Sequence, residues 1–358
     1  MASPYRRVYV DWLRGLAVVV MIEWHAIDAW TVMDVRDGTA YALLMFIGGW
    51  AAPLFLFLAG VSVPLAGDAH VRKGLDRRAA SWAVQKRGWQ IFGLAHLFRL
   101  QSFLLNPTAK WSSLFKPDIL NILGLGLVGA AFCWGRGQTL ARRLTWLALP
   151  AALIVALTPA SRSWWWPTLL YPRFEAYLRP KDNLGVFPLF PWVAFVFVGA
   201  CVGTLLAPAR PEEAEVRFQR QLATGGLGVA LMGAIGIFLP SPFADSSFWT
   251  TSLSWFLIRV GVMTLGLPLA WRWMRRSTAA RWSPLLVFGR TSLFVYWVHV
   301  EIAYGFVTHP LQHALSLPWS VTAYLVLTLI MLWLAVLWSR WQQSGRPLVP
   351  AHLVAAGA

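Results

Sequence analysis

Residues 8–30, VYVDWLRGLAVVVMIEWHAIDAW, constrain this chain more than any other stretch. The segment is long enough to cross a bilayer, for which roughly 20 apolar residues suffice. Yet it carries Asp11, Arg14, Glu23, His25 and Asp28. Each ionisable group at membrane depth needs a partner or a water-filled cavity, and a segment that served only as an anchor would not carry five. Arg14 and His25 stand eleven residues apart, close to three helical turns. They therefore share one helix face, about 16 Å apart along the axis. One group near the cytoplasmic side and one in the outer half is a layout suited to group transfer at a site reached from both sides.

The rest of the chain sets the class. Of 358 residues, 58% are hydrophobic and 13% charged, and the mean hydropathy is +0.55. This composition predicts an all-α polytopic membrane protein and excludes a soluble domain. Ten apolar spans are expected, at about 8–30, 41–66, 82–105, 117–134, 140–158, 185–207, 221–240, 248–274, 284–308 and 319–339. They form one bundle and a single domain over residues 1–358. If the N-terminus is cytoplasmic, 20 basic residues fall on that side and 7 outside. Arg14, Arg99, Arg259 and Arg290 remain inside spans. The bias predicts cytoplasmic N- and C-termini. It also accounts for the net charge of +16 without nucleic acid. For a bacterial chain the location is the inner (plasma) membrane. The N-terminus does not read as a signal peptide, because Arg14 interrupts the apolar region and no small-residue cleavage site follows. Cys133 and Cys201 lie in apolar spans, where no disulfide is expected, and no metal-ligand spacing occurs. The long outer loop, about 159–184, is rich in Trp and Pro and is expected to lie on the interface or to cover a site.

Counting 1.5 Å per residue along each span, His25, His96 and His299 fall roughly 20–25 Å from the cytoplasmic ends of their spans. Glu301 and Arg99 lie close by. Asp118, Asn121, Asp182 and Asn183 come near the outer face, and Arg259 sits a little deeper. Arg14 and Arg290 share the inner third. Each residue has a structural alternative. The histidines can be hydrogen-bonded core residues, Arg99 and Arg259 can tie helices together, and Arg290 can snorkel to the surface. The glycines at 48, 49, 60, 124, 126 and 129 suit close helix packing.

Several motifs then carry a resemblance. The run Asp11-Trp12-Leu13-Arg14-Gly15-Leu16-Ala17, with His25 beyond it, resembles the first membrane helix of the transmembrane acyltransferases. An Arg followed by ten residues and a His is a hallmark of their acyltransferase family 3 branch. The stretches 52–60 (APLFLFLAG), 118–124 (DILNILG), 187–192 (FPLFPW) and 289–299 (GRTSLFVYWVH) are similar to bacterial relatives of heparan-α-glucosaminide N-acetyltransferase. The resemblance implies a membrane enzyme that takes an acyl group, by default acetyl, from cytoplasmic acyl-CoA. It delivers that group to a glycan-like hydroxyl or amine on the far side, and a homodimer is compatible with it. In the heparan enzyme the reactive His lies in the loop beyond this helix, whereas residues 31–40 here contain no His. The role therefore passes to His25, with His299 as competitor.

The chemistry suits these residue types. An imidazole near its unperturbed pKa of about 6.5 serves as a base toward the acceptor or as an acyl carrier. Asp28 or Glu23 can orient the ring. Arg99 or Arg259 can stabilise the oxyanion, with His96, Asp118 and Asn121 beside the acceptor. Arg14 and Arg290 can hold the CoA phosphates. No metal is required. Two other readings compete: a proton-coupled transporter using the buried His, Asp, Glu and Arg groups, and a membrane assembly protein without catalysis.

Overall fold

The computed structural model describes residues 7–105, 111–181, 187–240, 247–276 and 283–344. Arg6, Lys110, Arg281 and Arg346 of the charge count, and the candidates Asp182 and Asn183, lie outside the described residues. The described regular elements are helical. In chain order they are α1 (Val8–Trp30), α2 (Thr39–Gly48), α3 (Ala51–Arg72), α4 (Arg77–Leu105), α5 (Ile119–Arg136), α6 (Leu140–Ser163), α7 (Pro172–Leu178), α8 (Leu189–Leu206), α9 (Glu212–Gly236), α10 (Leu253–Arg276), α11 (Pro284–Arg290), α12 (Ser292–Tyr304) and α13 (Leu317–Ser344).

Local sequence explains many of the ends. Asp118 caps α5: its Oδ1 accepts from the backbone amides of Leu120 and Asn121, while the Asn121 side chain accepts from the Asp118 amide. Thr139 caps α6 through the Arg142 amide. Proline opens α7 and α11, where its missing N–H costs nothing and its fixed φ suits a helix. Two expected spans are each built from two helices. Segment 41–66 is divided between α2 and α3 at Gly49–Trp50. Segment 284–308 turns through 91° between α11 and α12.

Each of the ten apolar segments thus holds a helix or a helix pair. Among the described residues, six helical segments are long and apolar enough to cross a membrane, and a seventh if α11 and α12 count as one span. The bundle is that of a polytopic membrane protein. α1, α4 and α9 are long as well but carry more charge or lower hydropathy. Several ends differ from expectation. α9 begins at Glu212 rather than 221, α4 at Arg77 rather than 82, and α13 reaches Ser344 rather than 339. Charged residues outside an apolar layer can still be good helix formers, so the helix outlasts the hydrophobic signal.

α1 stands at the centre and packs against α2, α3, α10, α11, α12 and α13, while α3 pairs with α8, α4 with α5 and α9 with α10. Glycine permits the closest approaches. A Cβ at Gly60 of α3 would overlap the Val196 carbonyl of α8, and one at Gly199 of α8 would overlap the Phe57 carbonyl of α3. Small residues let helix backbones meet in this way where water supplies no driving force between helices. Trp134, Phe57, Phe195 and Phe288 are among the largest fully buried side chains.

Gly60→Ala or Gly199→Ala should force α3 and α8 apart at a cost of about 1–3 kcal/mol. Thermal unfolding of the detergent-solubilised protein should show a clear drop for both. Gly93→Ala, where an added Cβ meets nothing within 4 Å, should leave the midpoint unchanged or raise it.

Candidate active site

Two of the three membrane histidines meet. His25 Nδ1 of α1 lies 2.9 Å from His299 Nε2 of α12. The ring centroids are 5.0 Å apart and the planes are inclined at 47°. The tautomers follow from the partners. His299 Nδ1 is 2.6 Å from the Val295 carbonyl, an acceptor only, so Nδ1 carries the hydrogen. In the neutral ring Nε2 is then the acceptor and must receive the proton on His25 Nδ1. This leaves the lone pair of the pair on His25 Nε2. His299 is fully buried, so its ring is fixed by packing as well as by its two hydrogen bonds. The result is a held imidazole with one unprotonated nitrogen.

Tyr304, from the end of α12, presents its edge to His25 at 5.6 Å between centroids and donates to Asp28 Oδ2 at 2.8 Å. Arg36 lies 3.6 Å from the other Asp28 oxygen and also donates to the Asp28 and Thr31 carbonyls. Asp28 is therefore close enough to act on His25 electrostatically, but the ring is oriented by His299. Glu23 does not join this group. It is two residues, or about 200° of helix, from His25 and points toward Gly48 at the end of α2. It is 5% exposed, and neither carboxylate oxygen has a hydrogen-bond partner.

A second polar group lies on the other side of α12. Arg99 Nε of α4 stands 3.3 Å from Asp118 Oδ2, and His96 lies within electrostatic range of Asp118. Glu301 is in range of Arg99, and Tyr296 of both Arg99 and Asp118. Tyr296 also meets His299 edge-on at 6.0 Å, which links the two groups through one helix. His96 therefore belongs with Arg99 and Asp118, not with the histidine pair. Asn121 and one oxygen of Asp118 are engaged in capping α5. Arg259 lies elsewhere, its guanidinium 4.6 Å from the centre of the Trp255 ring.

The segment between α6 and α8 reaches this second group. Its helix α7 brings Tyr177 within electrostatic range of Asp118 and Arg99, and burial pushes the Tyr177 hydroxyl up to about 12. Arg173 of the same helix is in range of Lys116. Glu175 ties the loop down: Arg179 donates to its Oε1 at 2.6 and 2.9 Å, and Lys181 lies 2.7 Å from Oε2. Arg179 also reaches the carbonyls of Arg162 and Trp164.

In the N-terminal half of α1, Arg14 pairs with Asp11 at 3.0 Å and donates to Ser62 of α3 at 2.7 Å. Arg290 closes α11 and is exposed. Its neighbour Gly289 sits so close to the Asp11 carbonyl that a Cβ there would overlap it. Arg14 and Arg290 thus flank the same turn of α1. Sequence reading missed Tyr304, Arg36 and Ser62. Ser62 was accessible to it, as a lone hydroxyl in an apolar helix that can face a membrane Arg. Tyr304 and Arg36 depend on where their elements fold.

The architecture defines a polytopic helical membrane protein with an imidazole pair in its interior. The profile of the heparan-α-glucosaminide N-acetyltransferase catalytic family matches residues 6–239, well over half of the chain. The chain belongs to this family of membrane acetyltransferases. His25, Arg14, Arg99 and Asp118 fall inside the matched region, while Arg259, Arg290 and His299 fall beyond it. No curated protein matches the chain.

Lys181, and then Arg179, hold the Glu175 carboxyl below its usual range. A carboxylate with a lowered folded pKa stabilises the loop above its unfolded value of about 4.3, and that contribution disappears as pH falls through the folded value. Glu175→Gln should cost about 1–3 kcal/mol at neutral pH. The difference from wild type should shrink in thermal unfolding series carried below pH 4.

Proposed function

We propose that the chain transfers an acyl group, acetyl by preference, from acyl-CoA bound at the cytoplasmic end of α1 to a hydroxyl or amine of a glycan-like acceptor at the outer end. The observation that carries this reading is the His25–His299 hydrogen bond at 2.9 Å, which leaves His25 Nε2 as the basic atom, together with the family match over residues 6–239. The Arg14–His25 spacing of the acyltransferase family 3 type and the bacterial branch of the heparan enzyme's family fit the same reading. Both termini are assigned to the cytoplasm from the basic-residue bias, and the membrane to the inner membrane of a bacterium.

In direct transfer, His25 Nε2 takes the proton of the acceptor O–H or N–H. The freed lone pair forms a bond to the thioester carbonyl carbon, the C–S bond breaks, and CoA leaves as the thiolate. The imidazolium then returns the proton to sulfur, closing the balance. In the alternative route Nε2 attacks the thioester carbonyl carbon, the C–S bond breaks and CoA leaves as the thiolate. The acceptor oxygen or nitrogen then displaces the imidazole from the acyl carbon, and its proton passes to the released His25 Nε2. His299 holds the ring by accepting from Nδ1, and it shares any positive charge that develops. Asp28, fixed by Tyr304 and Arg36, sits close enough to favour that charge. Arg99, with Asp118, Asn121 and His96 around it, faces the acceptor side. Arg14 and Arg290, flanking one turn of α1, suit the CoA phosphates. Glu23 and Arg259 have no part in these steps. The proton-coupled transporter weighed on composition gains no support from the family match.

Purified protein in liposomes, given labelled acetyl-CoA and an amino-sugar acceptor, should transfer label. His25→Ala should lower the rate by about 10²–10⁴, the usual scale for a general base, with thermal stability retained. Normal turnover of that variant would end this mechanism. His299→Ala should also lose activity, and His299→Gln, whose carbonyl can accept from His25 Nδ1, should recover part of it. Arg14→Ala should raise the acetyl-CoA requirement more than it lowers the maximal rate.

A further inference from the structure

The end of the bundle that carries Arg7 and the last turns of α10 holds two adjoining grooves that the acyl-transfer reading does not use. One, of about 460 Å³, runs between α9 and α10 and is walled by Arg220, Arg272, Arg275 and Arg276, with Gln219 and Trp271. The other, of about 470 Å³, runs between α1 and α10 and is lined by Trp12, Leu16, Gly266, Leu269 and Trp273. Leu269, Arg272 and Arg276 border both. Arg272 and Arg276 are four residues apart on one face of α10, so their guanidinium groups stand above neighbouring turns. Arg275 has a partner in Glu212 and stacks on Trp271. Among the described residues, Arg220, Arg272 and Arg276 have no acidic partner, and all three are exposed. Trp12 and Leu16 lie about 200° around α1 from Arg14, so the grooves open away from the turn assigned to CoA.

We infer that these grooves bind an anionic phospholipid, its phosphate between Arg220, Arg272 and Arg276 and an acyl chain along Trp12, Leu16 and Leu269. Charge complementarity selects this occupant. Three unneutralised arginines at the mouth call for a phosphate, and an apolar channel along a membrane-spanning helix calls for hydrocarbon. A soluble phosphate compound satisfies only the first, and a zwitterionic lipid brings a compensating ammonium to the arginines. Basic residues at the end of a membrane helix attract anionic headgroups by about 1 kcal/mol each, which is roughly a fivefold gain in affinity per arginine. The inference stands on the groove and its charges and does not rest on the acyltransferase assignment.

The test is native mass spectrometry of the full chain, released from detergent after titration with phosphatidylglycerol, phosphatidylcholine, inorganic phosphate or CoA. Phosphatidylglycerol should bind with retained adducts, and phosphatidylcholine at least fivefold more weakly. Arg272→Ala/Arg276→Ala should lose about 25-fold, the product of two fivefold steps, and Arg272→Lys/Arg276→Lys should keep most of the binding. Each variant's unfolding midpoint without lipid serves as the check on folding. Equal binding of the two lipids, or an unchanged affinity in the alanine pair, would overturn the inference. So would displacement of phosphatidylglycerol by CoA or by inorganic phosphate, which would assign the groove to a soluble ligand. Acetyl transfer measured in parallel should continue in the alanine pair, so that failure of this site and failure of the catalytic reading give different results.

Discussion

The contact between α1 and the short helix α11 governs the arrangement of the whole site. Gly15 of α1 faces the Leu285 carbonyl and Gly289 of α11 faces the Asp11 carbonyl, each so closely that one extra carbon would not fit. Because the two backbones touch, α11 lies against the N-terminal half of α1. The 91° turn that follows it then sends α12 along the C-terminal half. That geometry brings His299, 274 residues away in the chain, to His25. Helices in lipid gain little from hydrophobic association with one another, so close packing of small residues is a principal source of such precision.

The same economy governs the charges. Arg14 has Asp11 and Ser62, Asp28 has Tyr304 and Arg36, Arg99 has Asp118, and Glu175 has Arg179 and Lys181. In a low-dielectric interior each such pair offsets a desolvation cost that neither member could bear alone. Glu23 departs from this pattern, with both oxygens buried and without a hydrogen-bond partner among the described residues. It lies on the face of α1 away from the histidines, between the end of α2 and Tyr324 of α13.

Position 121 shows how one residue type reads two ways. Asn121 beside Asp118 looks like an acceptor-binding pair in sequence. In the fold both are engaged first in starting α5, and only Asp118 Oδ2 is left to meet Arg99. Capping was legible, because Asp-x-x-Asn before an apolar run is a helix-start pattern. The sequence reading places the histidines, Arg99, Asp118 and Arg259 at similar heights, and the fold joins His25 to His299 and His96 to Asp118 and Arg99 but leaves Arg259 against Trp255. Equal height along the membrane normal says nothing about position within the membrane plane, and Arg259 stands on a helix face turned elsewhere.

What the sequence determined by itself was the class and the spacing of groups along each helix. Apolar length sets how many segments form helices in a bilayer. The rise of 1.5 Å per residue sets the height of each ionisable group on its helix, which separates Arg14 from His25. The family signature lay in local runs that survive without any knowledge of packing. Tertiary structure alone decided which groups meet. The lateral order of the helices, the broken turn between α11 and α12 and the rotation of each helix about its axis depend on contacts between residues hundreds of positions apart. Those contacts join His25 to His299 and leave Glu23 and Arg259 on other faces of the bundle.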